Sequence, residues 1–87
     1  MKAVVTVVGK DKVGIIAKVS TVLYENGVNI LDISQTIMQD MFTMIMLVEM
    51  SGKTTGAISE KLEDIAREMG LSIHLQNQEL FESMHRI

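Results

Sequence analysis

The sequence predicts an α+β domain: a four-stranded antiparallel sheet with two helices on one face, followed by a short helical tail. Two observations carry this. Four extended apolar runs and two stretches of helical periodicity alternate in the order βαββαβ. The connections are short and polar, and with no proline and six glycines in 87 residues the chain has no linker or low-complexity stretch that would divide it. The expected organisation is one domain over residues 1–77 and a tail over 78–87.

Residues 2–8, Lys-Ala-Val-Val-Thr-Val-Val, are β-branched and apolar with little alternation, the pattern of a central strand. Gly9 to Gly14 forms a tight loop, with Asp11 in position to cap the helix that follows. Ile15, Ile16, Val19, Val22 and Leu23 then fall at helical spacing, and Asn26-Gly27 ends the helix, expected over residues 12–26, in residue types that tolerate a left-handed turn. Residues 28–39 are extended, but their apolar parity changes between Ile30 and Leu31, which predicts a bulge or a second contact surface. The topology puts this strand at an edge. Gln39-Asp40 is a hairpin turn into residues 41–50, a run apolar on both parities.

Thr54 or Thr55 caps a second helix whose stripe is Ile58, Leu62, Ile65, Ala66 and Met69, ended by Gly70. Leu71, Ile73 and Leu75 alternate with Ser72, His74 and Gln76 in a half-exposed last strand. In the tail, Leu80, Phe81, Met84 and Ile87 repeat helically, and so much apolar surface is expected to dock. Two split β-α-β units of this kind give the ferredoxin-like arrangement.

Composition removes several function classes. A net charge of −3 with scattered lysines argues against direct nucleic-acid binding. No run approaches the roughly 20 apolar residues of a membrane helix. Without cysteine there is no disulfide framework or thiolate metal site, and with no secretory signal at the N-terminus a reducing cytoplasm is the expected compartment.

Catalytic groups are sparse. His74 and His85 have no serine or aspartate at a spacing that builds a nucleophile and base locally, and no metal-ligand set occurs. Glu60, Glu63, Asp64 and Glu68, interleaved with Lys61 and Arg67, read as a solvated helix face. Neither Gly9 to Gly14 nor Ser51-Gly52-Lys53-Thr54 makes a phosphate-loop motif. The methionines Met38, Met41, Met44, Met46 and Met50 read as filling for an aliphatic core. What remains is the first loop. A helix N-terminus there offers unpaired N–H groups and positive dipole potential to a small carboxylate, and Asp11 serves either as a cap or as a ligand group.

Gly9-x-Asp11-x-x-Gly14-Ile15-Ile16 on a strand-to-helix turn, followed by Asn26-Gly27-Val28-Asn29-Ile30, resembles the ACT domain over residues 2–76. The chain is most similar to small free-standing ACT proteins and to the ACT halves of the glycine-cleavage repressor and formyltetrahydrofolate deformylase, whose third strand is matched by Phe42-Thr43-Met44. The resemblance implies a homodimer that binds an amino acid between its subunits. The ligand residues it implies are Gly9, Asp11, Val13, Gly14, Ile15 and Asn29, with no cofactor and no metal. Two departures mark this chain. Val13 replaces a frequent proline, and Gly9 stands where serine-sensing members carry histidine, which points away from serine. The expected function is therefore a non-enzymatic sensor acting in trans on a separate effector protein. A pure assembly module with a vestigial pocket is the alternative, and a small enzyme the third reading.

Overall fold

The structure, a computed structural model, describes residues 2–10, 13–50 and 55–77. Its elements are β1 (Lys2–Lys10), α1 (Ile15–Glu25), β2 (Val28–Met38), β3 (Met41–Met50), α2 (Thr55–Met69) and β4 (Ser72–Asn77). They form one antiparallel sheet in the order β2-β3-β1-β4, the ferredoxin-like topology expected. The helical tail expected over 78–87 lies outside the described residues.

Alternation along each strand sorts the sheet into two faces. Ala3, Val5 and Val7 of β1 and Phe42, Met44, Met46 and Val48 of β3 are buried against Ile15, Val19 and Leu23 of α1 and Ile58, Leu62 and Ile65 of α2. Both helices thus cover one face. Three of the five methionines, Met44, Met46 and Met50, fill this core as expected, whereas Met38 and Met41 are exposed beside the hairpin turn. Unbranched thioether side chains suit a core with so few aromatic residues. The opposite face carries Val4, Thr6 and Val8 of β1, Thr43, Ile45 and Leu47 of β3, and Ser72, His74 and Gln76 of β4.

Local chemistry sets the joints. The parity change in β2 is a bulge: Ile30 pairs with Val48 and Asp32 with Leu47, so Leu31 is the extra residue. Gln39 takes a φ of 59° in the two-residue turn between Met38 and Met41. Asn26 ends α1, buried, donating from Nδ2 to the Val22 carbonyl at 2.7 Å while its Oδ1 receives Lys61 Nζ of α2 at 3.5 Å. At the end of α2 the Leu71 N–H reaches the Ala66 carbonyl at 2.8 Å across Gly70, whose φ is 68°, a Schellman turn.

Two boundaries differ from expectation. β1 runs on to Lys10, because Gly9 and Lys10 pair with Phe42 and Met41. The first helix starts at Ile15 rather than residue 12, with Gly14 as its N-cap in the left-handed conformation (φ 91°, ψ 2°) and no side-chain cap. The capping position given to Asp11 is therefore held by Gly14, and Asp11 itself lies outside the described residues.

Candidate functional site

The β1–α1 junction stands at the end of the sheet where β1 finishes. Gly9 faces the helices, and a Cβ there would meet Leu71 Cδ2 at 2.5 Å and the Leu71 Cα at 3.3 Å. A side chain at 9 would press on the α2–β4 turn, where the far end of Leu71 would have to move and its backbone give by a few tenths of an ångström. At Gly14 the reason is different. Among the described residues nothing lies within 4 Å of a Cβ there, and the positive φ accounts for the residue. Val13 is fully exposed, and Ile15 keeps only 2% of its surface, locked into the core with Val19 and Leu23. The Ile15 side chain is therefore closed to the junction, and only its backbone faces it.

The first intrahelical bond of α1 runs from the Lys18 N–H to the Gly14 carbonyl at 2.9 Å. The amides of Ile15, Ile16 and Ala17 precede it and have no acceptor within the helix. The first turn also lacks an acidic side chain that would answer the dipole. An anionic group of a small molecule fits these amides chemically.

Asn29 is elsewhere. It pairs with Glu49, which pairs with Lys2, whereas Gly9 pairs with Phe42. Seven residues of strand separate the two levels, about 23 Å at a rise of about 3.3 Å per residue. Within one chain this register keeps Asn29 away from Gly9: β1 and β2 run parallel, so the start of β2 lies at the start of β1. Gly9, Val13, Gly14 and Ile15 share one end of the sheet, and Asn29 occupies the other.

Two clefts lie apart from the junction. One of about 290 Å³ runs between the helices, lined by Ala17, Lys18, Thr21, Val22 and Ile65. It is mainly apolar, and Lys18 beside it is engaged by Glu68. The other, about 160 Å³, lies between α2 and β4 and includes Ser59, Glu63 and His74. No serine partner is expected for His74 from the sequence, yet Ser72 Oγ lies 3.1 Å from His74 Nε2. Residues two apart on a strand share a face, and that spacing brings the pair together. Both side chains are exposed on the edge strand, without the burial that activates a nucleophile. Among the described residues no group of His, Asp or Glu is placed to hold a metal ion, and no helix is long and apolar enough to cross a membrane.

A four-stranded βαββαβ sheet with a glycine-bounded first loop places the chain in the ferredoxin-like class, and sequence comparison assigns it to a family within that class. The ACT domain profile matches residues 2–76, and the chain belongs to the ACT domain family. It is 51% identical over 89 residues, spanning 100% of both chains, to a UPF0237 protein of Clostridium acetobutylicum. Among solved structures, an ACT domain protein from Streptococcus pneumoniae superposes with a TM-score of 0.82 at 40% identity, covering 94% of each chain. A protein assigned as a glycine cleavage system transcriptional repressor gives a TM-score of 0.78 at 25% identity, over 86% of this chain and 44% of that one. ACT domains are regulatory modules that bind small ligands, and related members are regulators.

Proposed function

We propose that the protein is a homodimeric amino-acid sensor that acts in trans on a separate effector protein in the cytoplasm. The observation that carries this reading is the first turn of α1, three amides opening behind Gly14 with no acidic side chain in that turn and, among the described residues, no side-chain cap. They suit the carboxylate of an amino acid. The ammonium then needs an anionic or amide oxygen, and Asp11 and Asn29 are the candidates.

A dimer resolves the distance of Asn29 from the β1–α1 junction. Every residue of β2 from Leu31 to Met38 is exposed, and Leu31, Ile33, Ile37 and Met38 are large apolar groups on that unpaired edge. An edge of this kind invites a second strand. Antiparallel pairing of β2 with its copy sets the Val28 end of one subunit beside the Met38 end of the other, the end that carries Gly14. Asn29 of one protomer then stands at the same end of the joined sheet as its partner's α1 N-terminus, and the ligand is proposed to lie between them.

The same exposed edge favours the second reading, an assembly module whose junction holds nothing. Thermal unfolding with a panel of amino acids separates them, because a ligand that binds only the native dimer raises Tm by mass action. A rise of several degrees with one amino acid supports the sensor. A dimer whose Tm no amino acid moves supports the assembly module.

A further inference from the structure

Among the described residues Asn26 is the one polar residue that is buried, 7% exposed where α1 gives way to β2. Its side chain is held from two elements. Nδ2 donates to the Val22 carbonyl at 2.7 Å, and Lys61 Nζ of α2 reaches Oδ1 at 3.5 Å. The backbone on either side of that amide is held as well. The Asn26 N–H reaches the Val22 and Leu23 carbonyls, each at 3.2 Å, and the Gly27 N–H is committed to the Tyr24 carbonyl at 3.1 Å. Gly27 itself turns at a φ of 70°, with no atom of the described residues within 4 Å of a Cβ.

The pair Asn26-Gly27 also carries a latent reaction. When the Gly27 nitrogen reaches the Asn26 side-chain carbon, a C–N bond forms, the bond to Nδ2 breaks, and Nδ2 leaves as ammonia with the proton given up by the attacking N–H. A cyclic imide remains. Water opens it at either carbonyl, leaving aspartate or an isoaspartate linkage. Glycine in the second position assists, because no Cβ shields the nitrogen and the backbone turns freely. In the folded chain both reacting atoms are engaged elsewhere, Nδ2 by Val22 and the Gly27 N–H by Tyr24. Unfolding releases both.

We infer that Asn26-Gly27 is a modification site closed by the native fold and opened when the last turn of α1 unfolds, so that deamidation marks, in one direction, chains that have opened. The product fits the fold less well. Aspartate at 26 has no Nδ2 to give the Val22 carbonyl, and it sets a carboxylate at a helix C-terminus, where the dipole is negative. Lys61 offsets that charge only in part, since it is exposed and screened. Isoaspartate lengthens the backbone by one atom between α1 and β2, which displaces Val28 from its buried place opposite Met50. A marked chain that refolds therefore opens more readily than before. Neither a ligand nor β2 pairing is needed.

The test uses the full chain at mildly alkaline pH, with and without denaturing guanidinium chloride, and reads the gain of one dalton on the peptide that holds Asn26. A site that reacts only from an opened state reacts in proportion to the opened fraction, so the folded protein should be slower by roughly tenfold or more. Asn29, followed by isoleucine, should stay intact in both samples. Equal rates at Asn26 overturn the inference. Val19→Ala leaves a cavity in the core beneath α1 and should raise the rate in buffer while leaving the rate in denaturant unchanged. A rate in buffer that does not respond to this loss of stability overturns it too, because the reaction then proceeds from the native state. Deamidated chains, separated by their added negative charge and refolded, should melt several degrees below the unmodified protein. An unchanged or higher Tm would show that the mark does not weaken the fold and would overturn that half of the inference.

Discussion

Gly9 and Gly14 bound the same loop and are glycines for opposite physical reasons, so their alanine variants should fail differently. At Gly14 the φ of 91° is the constraint, since no atom of the described residues lies within 4 Å of a Cβ. Gly14→Ala should cost about 1–2 kcal/mol, and Gly14→Asn less, because asparagine tolerates the left-handed region. Denaturant midpoints with an unchanged slope check this order. At Gly9 the backbone is an ordinary strand and the obstacle is Leu71, with Cδ2 at 2.5 Å and Cα at 3.3 Å from the new methyl. Gly9→Ala should cost about 1–3 kcal/mol as overpacking. Leu71→Ala removes the nearer of those two contacts, so the double variant should be more stable than the sum of the single changes predicts, and additivity would show that the clash is relieved elsewhere. The sequence alone could not separate the two glycines. Spacing reveals that a loop needs backbone freedom but not which residue turns and which makes room for a distant segment, and Leu71 is distant in sequence. For the same reason Asp11 reads as the cap: a short polar residue before an apolar run is the usual signal, and here a left-handed glycine three residues later holds the position.

Among the elements, β2 shows how far sequence pattern reaches. Its bulge is legible because one extra residue flips every later side chain to the other face, and that flip is written in the apolar parity at Ile30 and Leu31. Its consequence is less visible. Beyond the bulge, Ile33 and Ile37 share the helix-side face with Met46 and Phe42, yet remain 43% and 54% exposed at the sheet margin. They are the groups a second β2 would cover. Ile33→Glu on each subunit would then set like charges close to the pairing axis, and sedimentation at micromolar concentration should change from dimer to monomer while the far-UV spectrum of the fold is kept. A wild-type chain that sediments as a monomer would remove the dimer altogether. The positions of the strands and helices follow from local periodicity, whereas the relative level of Asn29 and Gly9 does not. That level is set by the parallel run of β1 and β2, a property of the strand order and of the pairing of both strands with β3, which no local pattern in either strand records.

At the scale of the whole molecule, the separation of Asn29 from the β1–α1 junction turns a question about residues into one about subunits. If Asn29 serves the partner's site, each pocket is built from two chains, and ligand affinity falls when either half is damaged. Asp11→Asn leaves the Gly14 cap in place but removes a charge-assisted contact to an ammonium, which is worth about 1.5–3 kcal/mol and so roughly ten- to a hundredfold in affinity. Asn29→Ala should weaken the same amino acid with little effect on folding, since the side chain is exposed. Each homodimer then carries two defective sites. Mixing the two variants through a partial unfolding and refolding step generates heterodimers in which one pocket holds both native residues and the other holds both substitutions. Random re-association restores about one site in four, and calorimetry on the mixture should recover that stoichiometry at wild-type affinity. A site contained within one chain gives no recovery, because every pocket keeps its own lesion. Full wild-type affinity in both separate variants would show that neither side chain touches the ligand and that the pocket lies elsewhere. Recovery on mixing requires both that the ligand binds at the junction and that β2 pairs antiparallel, so this one stoichiometry tests the chemistry and the assembly together.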